Sequence, residues 1–377
     1  MIVLQVLPAL DSGGVELGTV QIAEALVKAG HTALVASSGG RMGAEVEGGG
    51  GRGITPPLKS KNPLTMLANI DRLGKVIRAN GVQLVHARSR APAWSARFAA
   101  QRAGVPFVTT FHAAYKHGFA LKRFYNAVMT SGERVIAISE FIRQHVMDIY
   151  GVEDARFTLI HRGADMKRFD PAQVDPARLT ALRDAWQLPP DAPVIMCVGR
   201  LSRTKGQDVL IKALGRIKQL PFHCVLVGSD QGRTSVSDDL KQLITDNGLE
   251  GRVALVGDCR DMPAAYLLSS VVVAPSLLPE AFGRVLVEPQ AMERLIISSN
   301  SGAAPESVVP GKTGWLVEPG NPEALAAALR EFLTLSQNER RSRERAARLH
   351  VLERFDTALM CSKTLTLYED VLSGGAS

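Results

Sequence analysis

The stretch PEAFGRVLVE, residues 279–288, sets Glu280 and Glu288 on either side of Phe282 and Gly283. It follows the apolar run VVVAP, so the order reads as strand, proline-punctuated loop, then a helix starting near Gly283. Backbone N–H groups of Phe282, Gly283 and the next residues stand at that helix start without intrahelical acceptors, a ready site for phosphate oxygens. Carboxylates facing the same phosphates would be repelled. Glu280 and Glu288 make sense where each accepts hydrogen bonds from neutral hydroxyls on either side of a diphosphate, at roughly 1.5–3 kcal/mol per charge-assisted bond. The plainer alternative is a capping acid at 280 and a surface helix residue at 288.

VGRLSRTKGQDVL places Arg200 and Lys205 between another apolar run and a helical pattern. Arginine offers a planar fork of donors and lysine a point charge, a pair suited to a diphosphate. Taken alone, the stretch is better explained as two exposed basic loop residues, and the balance changes only in combination with residues 279–288. Gly13 and Gly14 in SGGVELG follow the first strand-like run, and they serve either a close phosphate approach or a tight turn. Their spacing with Gly18 does not fit the dinucleotide pattern GxGxxG. Gly311-Lys312-Thr313 is not a P-loop, because Glu306 stands where that motif needs glycine and GWLVEP reads as a strand.

These residues need a scaffold that ends strands beside helix starts. In the first half IVLQVL, HTALVAS, VQLVHA, PFVTTF and RVIAIS alternate with helix-period segments. In the second half PVIMCVG, FHCVLVG, RVALVG, VVVAP, LIISS and GWLVEP do the same. The pattern predicts an α/β protein with two doubly wound parallel-sheet domains, at 1–165 and 193–356, facing a central crevice. The Pro- and Asp-rich residues 166–192 read as a linker, VEGGGGRG (46–53) as a flexible loop, and 357–375 as a helix returning to the first domain.

Of the 377 residues 46% are hydrophobic and 21% charged, the balance of a folded globular protein. No apolar run approaches the ~18 residues that span a bilayer. The opening MIVLQVLPAL reads as a strand, not a signal peptide, so a cytoplasmic location is expected. Cys197, Cys224, Cys259 and Cys361 form no CxxC pair and read as buried thiols of a reducing compartment. Charge is unevenly placed: 19 Lys/Arg against 12 Asp/Glu in 1–165, but 25 against 25 in 166–377, so all of the net +7 lies in the first half. Lys116, Lys122 and Arg123, interleaved with aromatics, are its densest part. An anionic partner fits, either a membrane surface or a phosphorylated glycolipid, although a solvated basic face is the simpler reading. Without a nucleic-acid-binding signature, no nucleic acid is expected.

Arg200 with Lys205, and the E-x7-E of Glu280 and Glu288 enclosing Phe282-Gly283, together resemble retaining glycosyltransferase family 4, of the GT-B fold. PGKTGWLVEPGNPEALAAAL, VIAISEFIRQHV, RGADMKRFDP and SGGVE carry the likeness over nearly the whole chain, closest to bacterial members that build lipopolysaccharide or other envelope polysaccharide. The resemblance implies transfer of a sugar from a nucleotide-sugar to a lipid-linked or polysaccharide acceptor. It implies retained configuration and neither metal nor cofactor, with the protein held peripherally at the inner face of the cytoplasmic membrane. It assigns the ribose hydroxyls to Glu288, the donor sugar to Glu280, and the diphosphate to Arg200 and Lys205. Gly14 and the amides of Gly283, Arg284 and Val285 would complete the phosphate cradle. Val256 and Gly257 match the nucleobase edge, and His112 a histidine near sugar and acceptor.

Several positions depart from the pattern. Glu293 replaces a helix-ending glycine, which should make another residue end that helix; Leu295 replaces proline, Ala303 the second glycine of a pair, and Ala113 a glycine after His112. The Ala303 change bears on the fit of the sugar loop. A GT-B nucleotide-sugar epimerase and a non-catalytic sugar-nucleotide binder are the alternatives.

Overall fold

The structure, a computed structural model, describes residues 1–11, 13–115, 118–232 and 234–374. Lys116 of the basic cluster and Ser12 of SGGVE lie outside the described residues. The chain forms two compact units: residues 1–162 with 357–377, and residues 163–356.

The first unit is built on seven strands: β1 (Ile2–Val6), β2 (Thr32–Ala36), β3 (Arg52–Ile54), β4 (Leu84–Ala87), β5 (Phe107–Phe111), β6 (Arg134–Ala137) and β7 (Phe157–Leu159). They form one parallel sheet in the order β3-β2-β1-β4-β5-β6-β7. Short apolar strands buried on both faces are what helices packed on either side of a parallel sheet require. Helix Thr357–Leu372 belongs to this unit, with Met360, Leu367 and Tyr368 in the core beside Val3, Ile22 and Ile136.

The second unit has six strands: β8 (Val194–Val198), β9 (His223–Val227), β10 (Val253–Gly257), β11 (Val271–Ala274), β12 (Leu295–Ser299) and β13 (Gly314–Val317). Their order, β10-β9-β8-β11-β12-β13, is that of a dinucleotide-type doubly wound sheet. Each sheet has a point where the strand order reverses, between β1 and β4 and between β8 and β11. Loops leaving the carboxyl ends of those strands frame a ligand position.

The structure corrects four expectations. Residues 166–192, read as a linker, fall within the second unit. Asp170 and Asp175 cap a short turn at Pro171–Gln173 and a helix at Pro176–Ala185, and that helix packs on helix Met262–Leu268. The supposed flexible loop 46–53 is the end of helix Gly43–Gly48 and the start of β3, an edge strand with no apolar run to announce it. Cys259 is partly exposed, unlike the other three cysteines.

The fourth correction concerns Glu293. No other residue ends helix Arg284–Ala291; Glu293 itself takes the left-handed conformation, at φ 58°. A side chain there costs roughly 1–2 kcal/mol that glycine does not. Glu293→Gly should therefore raise the thermal midpoint by about 2–4 °C, for a net gain of about 1 kcal/mol. An unchanged or lowered midpoint in calorimetry would show that the Glu293 side chain compensates its own strain.

Candidate functional site

The residues singled out by sequence fall into two groups, one per unit. In the second unit, β8 runs into Arg200 and a single turn at Arg203–Lys205, and β11 runs into the loop that carries Glu280. Two contacts stitch these loops together. Leu277 N–H donates to Thr204 O at 2.9 Å. A Cβ on Gly206 would lie 2.0 Å from Pro275 O, so only glycine lets the backbones approach this closely. The result is that Lys205 Nζ donates to Glu280 Oε1, and Ser276 Oγ donates to the same oxygen at 2.9 Å. From below, Ala303 N–H donates to Glu280 O at 2.9 Å, and the absent side chain of Gly302 leaves room for the Glu280 backbone.

This bears directly on the glycine-pair departure. Gly302, at φ 60°, holds the position that needs glycine, whereas Ala303 has φ −83°, ordinary for any residue. Alanine at 303 is therefore accommodated without strain, and its N–H still holds the loop.

Gly283, at φ 77°, starts helix Arg284–Ala291, and its carbonyl accepts from Leu286 N–H at 2.9 Å. The first-turn amides of Arg284 and Val285 thus stand at a positive helix end. Phe282 is buried against Phe355, ring centroids 5.8 Å apart, and anchors the loop. Glu288 is not a surface residue: it is 7% exposed, with Tyr266 Oη donating at 3.1 Å and Arg284 Nη1 as an ion-pair partner 3.5 Å away. Burial pushes its carboxyl above the ordinary range, partly offset by Arg284 and the Tyr266 hydroxyl. The Arg200 guanidinium is exposed and the Arg200 carbonyl is fixed by Gln207 Nε2 at 3.1 Å. Val256 is a bulge: Leu255 pairs with Leu226 and Gly257 with Val227, leaving Val256 as the extra residue at the end of β10. A bulge frees backbone groups from the ladder, which is what reading a planar base edge needs.

In the first unit, Gly13 and Gly14 start helix Gly14–Lys28. Arg162 packs against the second glycine: its Nη1 donates to Gly14 O and would lie 2.7 Å from a Cβ there, a contact the arginine's mobile end could relieve. Arg162 Nη2 also donates to His112 Nδ1, at 2.9 Å. Arginine has no acceptor, so His112 Nδ1 must accept and Nε2 carries the ring hydrogen. That Nε2 is sealed from solvent with no partner among the described residues. Burial, then Arg162, Arg88 and His86, hold the imidazole well below its ordinary pKa. Arg88 is itself buried after β4, donating to Gln5 Oε1 at 3.0 Å, while Gln5 Nε2 donates to Thr19 O at 3.0 Å. His86 spans Tyr368 Oη at 2.6 Å and Thr110 Oγ1 at 2.7 Å.

Sequence reasoning missed Ser276, Tyr266, Arg88 and Arg162. Tyr266 sits among apolar residues of helix Met262–Leu268, with no motif to set it apart. Arg162, in RGAD, lies just after a three-residue strand too short to register as one.

Two family models match the chain: Glycosyltransferase Family 4 over residues 12–168, and Glycosyl transferases group 1 over residues 180–350. A solved glycosyltransferase from Rickettsia africae is 35% identical, covers 99% of both chains and superposes with a TM-score of 0.93. HepE of Anabaena, solved in complex with UDP, is 24% identical over 98% of this chain and all of its own, with a TM-score of 0.85, a likeness of fold. A curated relative, the D-inositol 3-phosphate glycosyltransferase 1 of Catenulispora acidiphila, is 28% identical over 66% of this chain. That match spans 60% of the relative's own length.

The raised carboxyl of Glu288 makes a prediction with a definite sign. Its folded-state pKa lies above the unfolded one, so the stability it contributes is present below the ordinary carboxylate range and lost as pH rises through the raised value. Glu288→Gln should therefore melt higher than wild type near pH 7.5, with the advantage vanishing near pH 4. Parallel melting curves at both pH values would mean that burial does not strain this carboxylate.

Proposed function

The chain belongs to the family 4 glycosyltransferases of GT-B fold, and from that premise we propose that it transfers a sugar from a nucleoside-diphosphate sugar to a hydroxyl acceptor. The observation that carries this reading is the Lys205–Glu280 pair held beside the helix start at Gly283. One ammonium and one carboxylate satisfy each other there. A diphosphate would draw Lys205 toward its oxygens and release Glu280 to accept from sugar hydroxyls. Glu288, buried with one oxygen on Tyr266, is suited to a ribose diol, whose two donors would relieve its buried charge. Val256 and Gly257, at the bulged end of β10, take the base edge. HepE, solved with UDP and with UDP-glucose, shows such a donor bound on the same type of scaffold.

In the proposed reaction the bond between the anomeric carbon and the β-phosphate oxygen breaks, and a bond to the acceptor oxygen forms on the same face. The acceptor proton passes to the departing phosphate oxygen. Negative charge growing on that phosphate is met by Arg200, Lys205 and the amides of Gly283, Arg284 and Val285, without a metal ion. Losing one such preorganised donor costs about 10²–10³ in rate. The acceptor is lipid-linked or a polysaccharide of the bacterial envelope, as in lipopolysaccharide-type synthesis. The basic first half then lies at the inner face of an anionic membrane. Among the described residues no helix is long and apolar enough to cross a membrane, so attachment would be peripheral.

Thermal unfolding against UDP, GDP, ADP and CMP, with and without magnesium, tests the donor. At 100 times its Kd the correct nucleotide stabilises by about 2.7 kcal/mol, and we expect one diphosphate to do so equally in both conditions. A shift that requires magnesium would overturn the metal-free scheme. Glu280→Ala should keep that shift while transfer falls by at least about 10²-fold. Equal loss of nucleotide binding would show that Glu280 serves the nucleotide and not the sugar.

A further inference from the structure

Isolated apolar side chains on a protein surface need no explanation, but a cluster of them does. Nine large hydrophobic side chains are exposed among the described residues; five of them, Leu67, Phe98, Phe119, Leu121 and Phe124, line one groove of the first unit, and Leu64 lies one turn before Leu67 on the same helix. They belong to helices Pro63–Asn80, Arg90–Ala103 and Ala120–Ala127 and to the residue before the last of these. Leu64 is 75% exposed, Leu121 71% and Phe124 64%. Between the helices runs a groove of about 750 Å³ whose floor includes Met66, Ile70 and Trp94, with Lys61 and Lys122 in its lining. The Trp94 ring lies 5.4 Å from Phe124, and its Nε1 is already spent on Tyr125 O at 3.1 Å, so what it turns to the groove is apolar.

The rim of this groove is one-signed. Across residues 57–80, 88–103 and 118–127 the sequence has a single acid, Asp71, and that acid is paired with Arg102 at 3.0 Å. A second copy of the chain, docked on this face by a two-fold axis, would set one basic rim, with Lys61 and Lys122, against the same basic rim. An anionic lipid meets both demands at once: its chains match the groove and its headgroup matches the lysines.

We propose that this groove is a docking site for the hydrocarbon of an anionic bilayer, with Leu64, Leu67, Leu121 and Phe124 inserted among the acyl chains and Lys61 and Lys122 at the headgroups. The proposal rests on the envelope-acceptor reading above and names the surface by which the protein reaches that acceptor. Charge alone would leave the protein on the headgroups; the apolar face takes it below them.

Full-length protein mixed with vesicles of phosphatidylcholine, or of phosphatidylcholine with phosphatidylglycerol, provides the test by flotation. Wild type should favour the anionic vesicles at least about tenfold. Leu67→Ser, Leu121→Ser and Phe124→Ser together should lower that partitioning about a hundredfold. Their exposure predicts an unchanged thermal midpoint and an unchanged nucleotide-induced shift. Trp94 is the one tryptophan of the first unit, so lipid brominated in its acyl chains should quench a fluorescence component that Trp94→Phe lacks. Undiminished binding by the triple variant, with no bromine quenching, would overturn the groove and leave attachment by charge. A concentration-dependent dimer abolished by the triple variant, with no vesicle binding, would assign the face to a second copy and overturn the proposal. Indifference of wild type to both vesicles, with the nucleotide shift intact, would overturn membrane docking and leave the transfer chemistry standing.

Discussion

Lys205 and Glu280 start 75 residues apart and meet because two loops leave adjacent parallel strands, β8 and β11, on the same side of the sheet. The strand order reverses between those strands, so no crossover helix fills the space beyond their ends. The Thr204–Leu277 bond and the close approach at Gly206 then fix the loops, and the charges follow. With side chains 29% and 28% exposed, the pair is neither a weak surface bridge nor a fully desolvated one. It is strong enough to order the loop and open enough to exchange partners. Removing either member would leave the other partly desolvated without its counter-charge, though Glu280 would keep the Ser276 hydroxyl.

Glu288 illustrates a different trade. A carboxylate at 7% exposure with one hydroxyl donor and a guanidinium 3.5 Å away is under-solvated. Such a group weakens the folded chain and is tolerated where something else is gained. In the proposed site the gain is affinity, because hydroxyl donors arriving from a ligand restore the solvation that folding removed.

Much of this was legible in the sequence because parallel α/β folds announce themselves. Eleven of the strands are apolar runs, and the functional residues lie immediately beyond their ends. The two strands that escaped, β3 and β7, are three-residue edge strands whose pairing is set by their neighbours and not by an apolar pattern. The helix Pro176–Ala185 escaped because proline at its first position and an aspartate cap mimic linker composition, though both are ordinary helix-start chemistry. Glu293 was misjudged from a rule about glycine: a left-handed residue was required, and glutamate takes that conformation at a cost in stability. The partners Tyr266, Ser276 and Arg162 carry no periodicity or motif of their own. Their roles exist only once Glu288, Glu280 and His112 have been brought beside them.

His112 limits the chemistry that the first unit can contribute. With Nδ1 committed to Arg162, the ring already bears its hydrogen on Nε2 and stays neutral in the field of Arg162, Arg88 and His86. To act as a base it would have to become an imidazolium next to two guanidiniums, the least favourable charge state this environment offers. It can donate from Nε2, and that buried donor has no other partner among the described residues. His112 is therefore suited to donating a hydrogen bond and unsuited to serving as a base. In the proposed scheme the acceptor proton accordingly goes to the departing phosphate oxygen, which gains negative charge as the reaction proceeds.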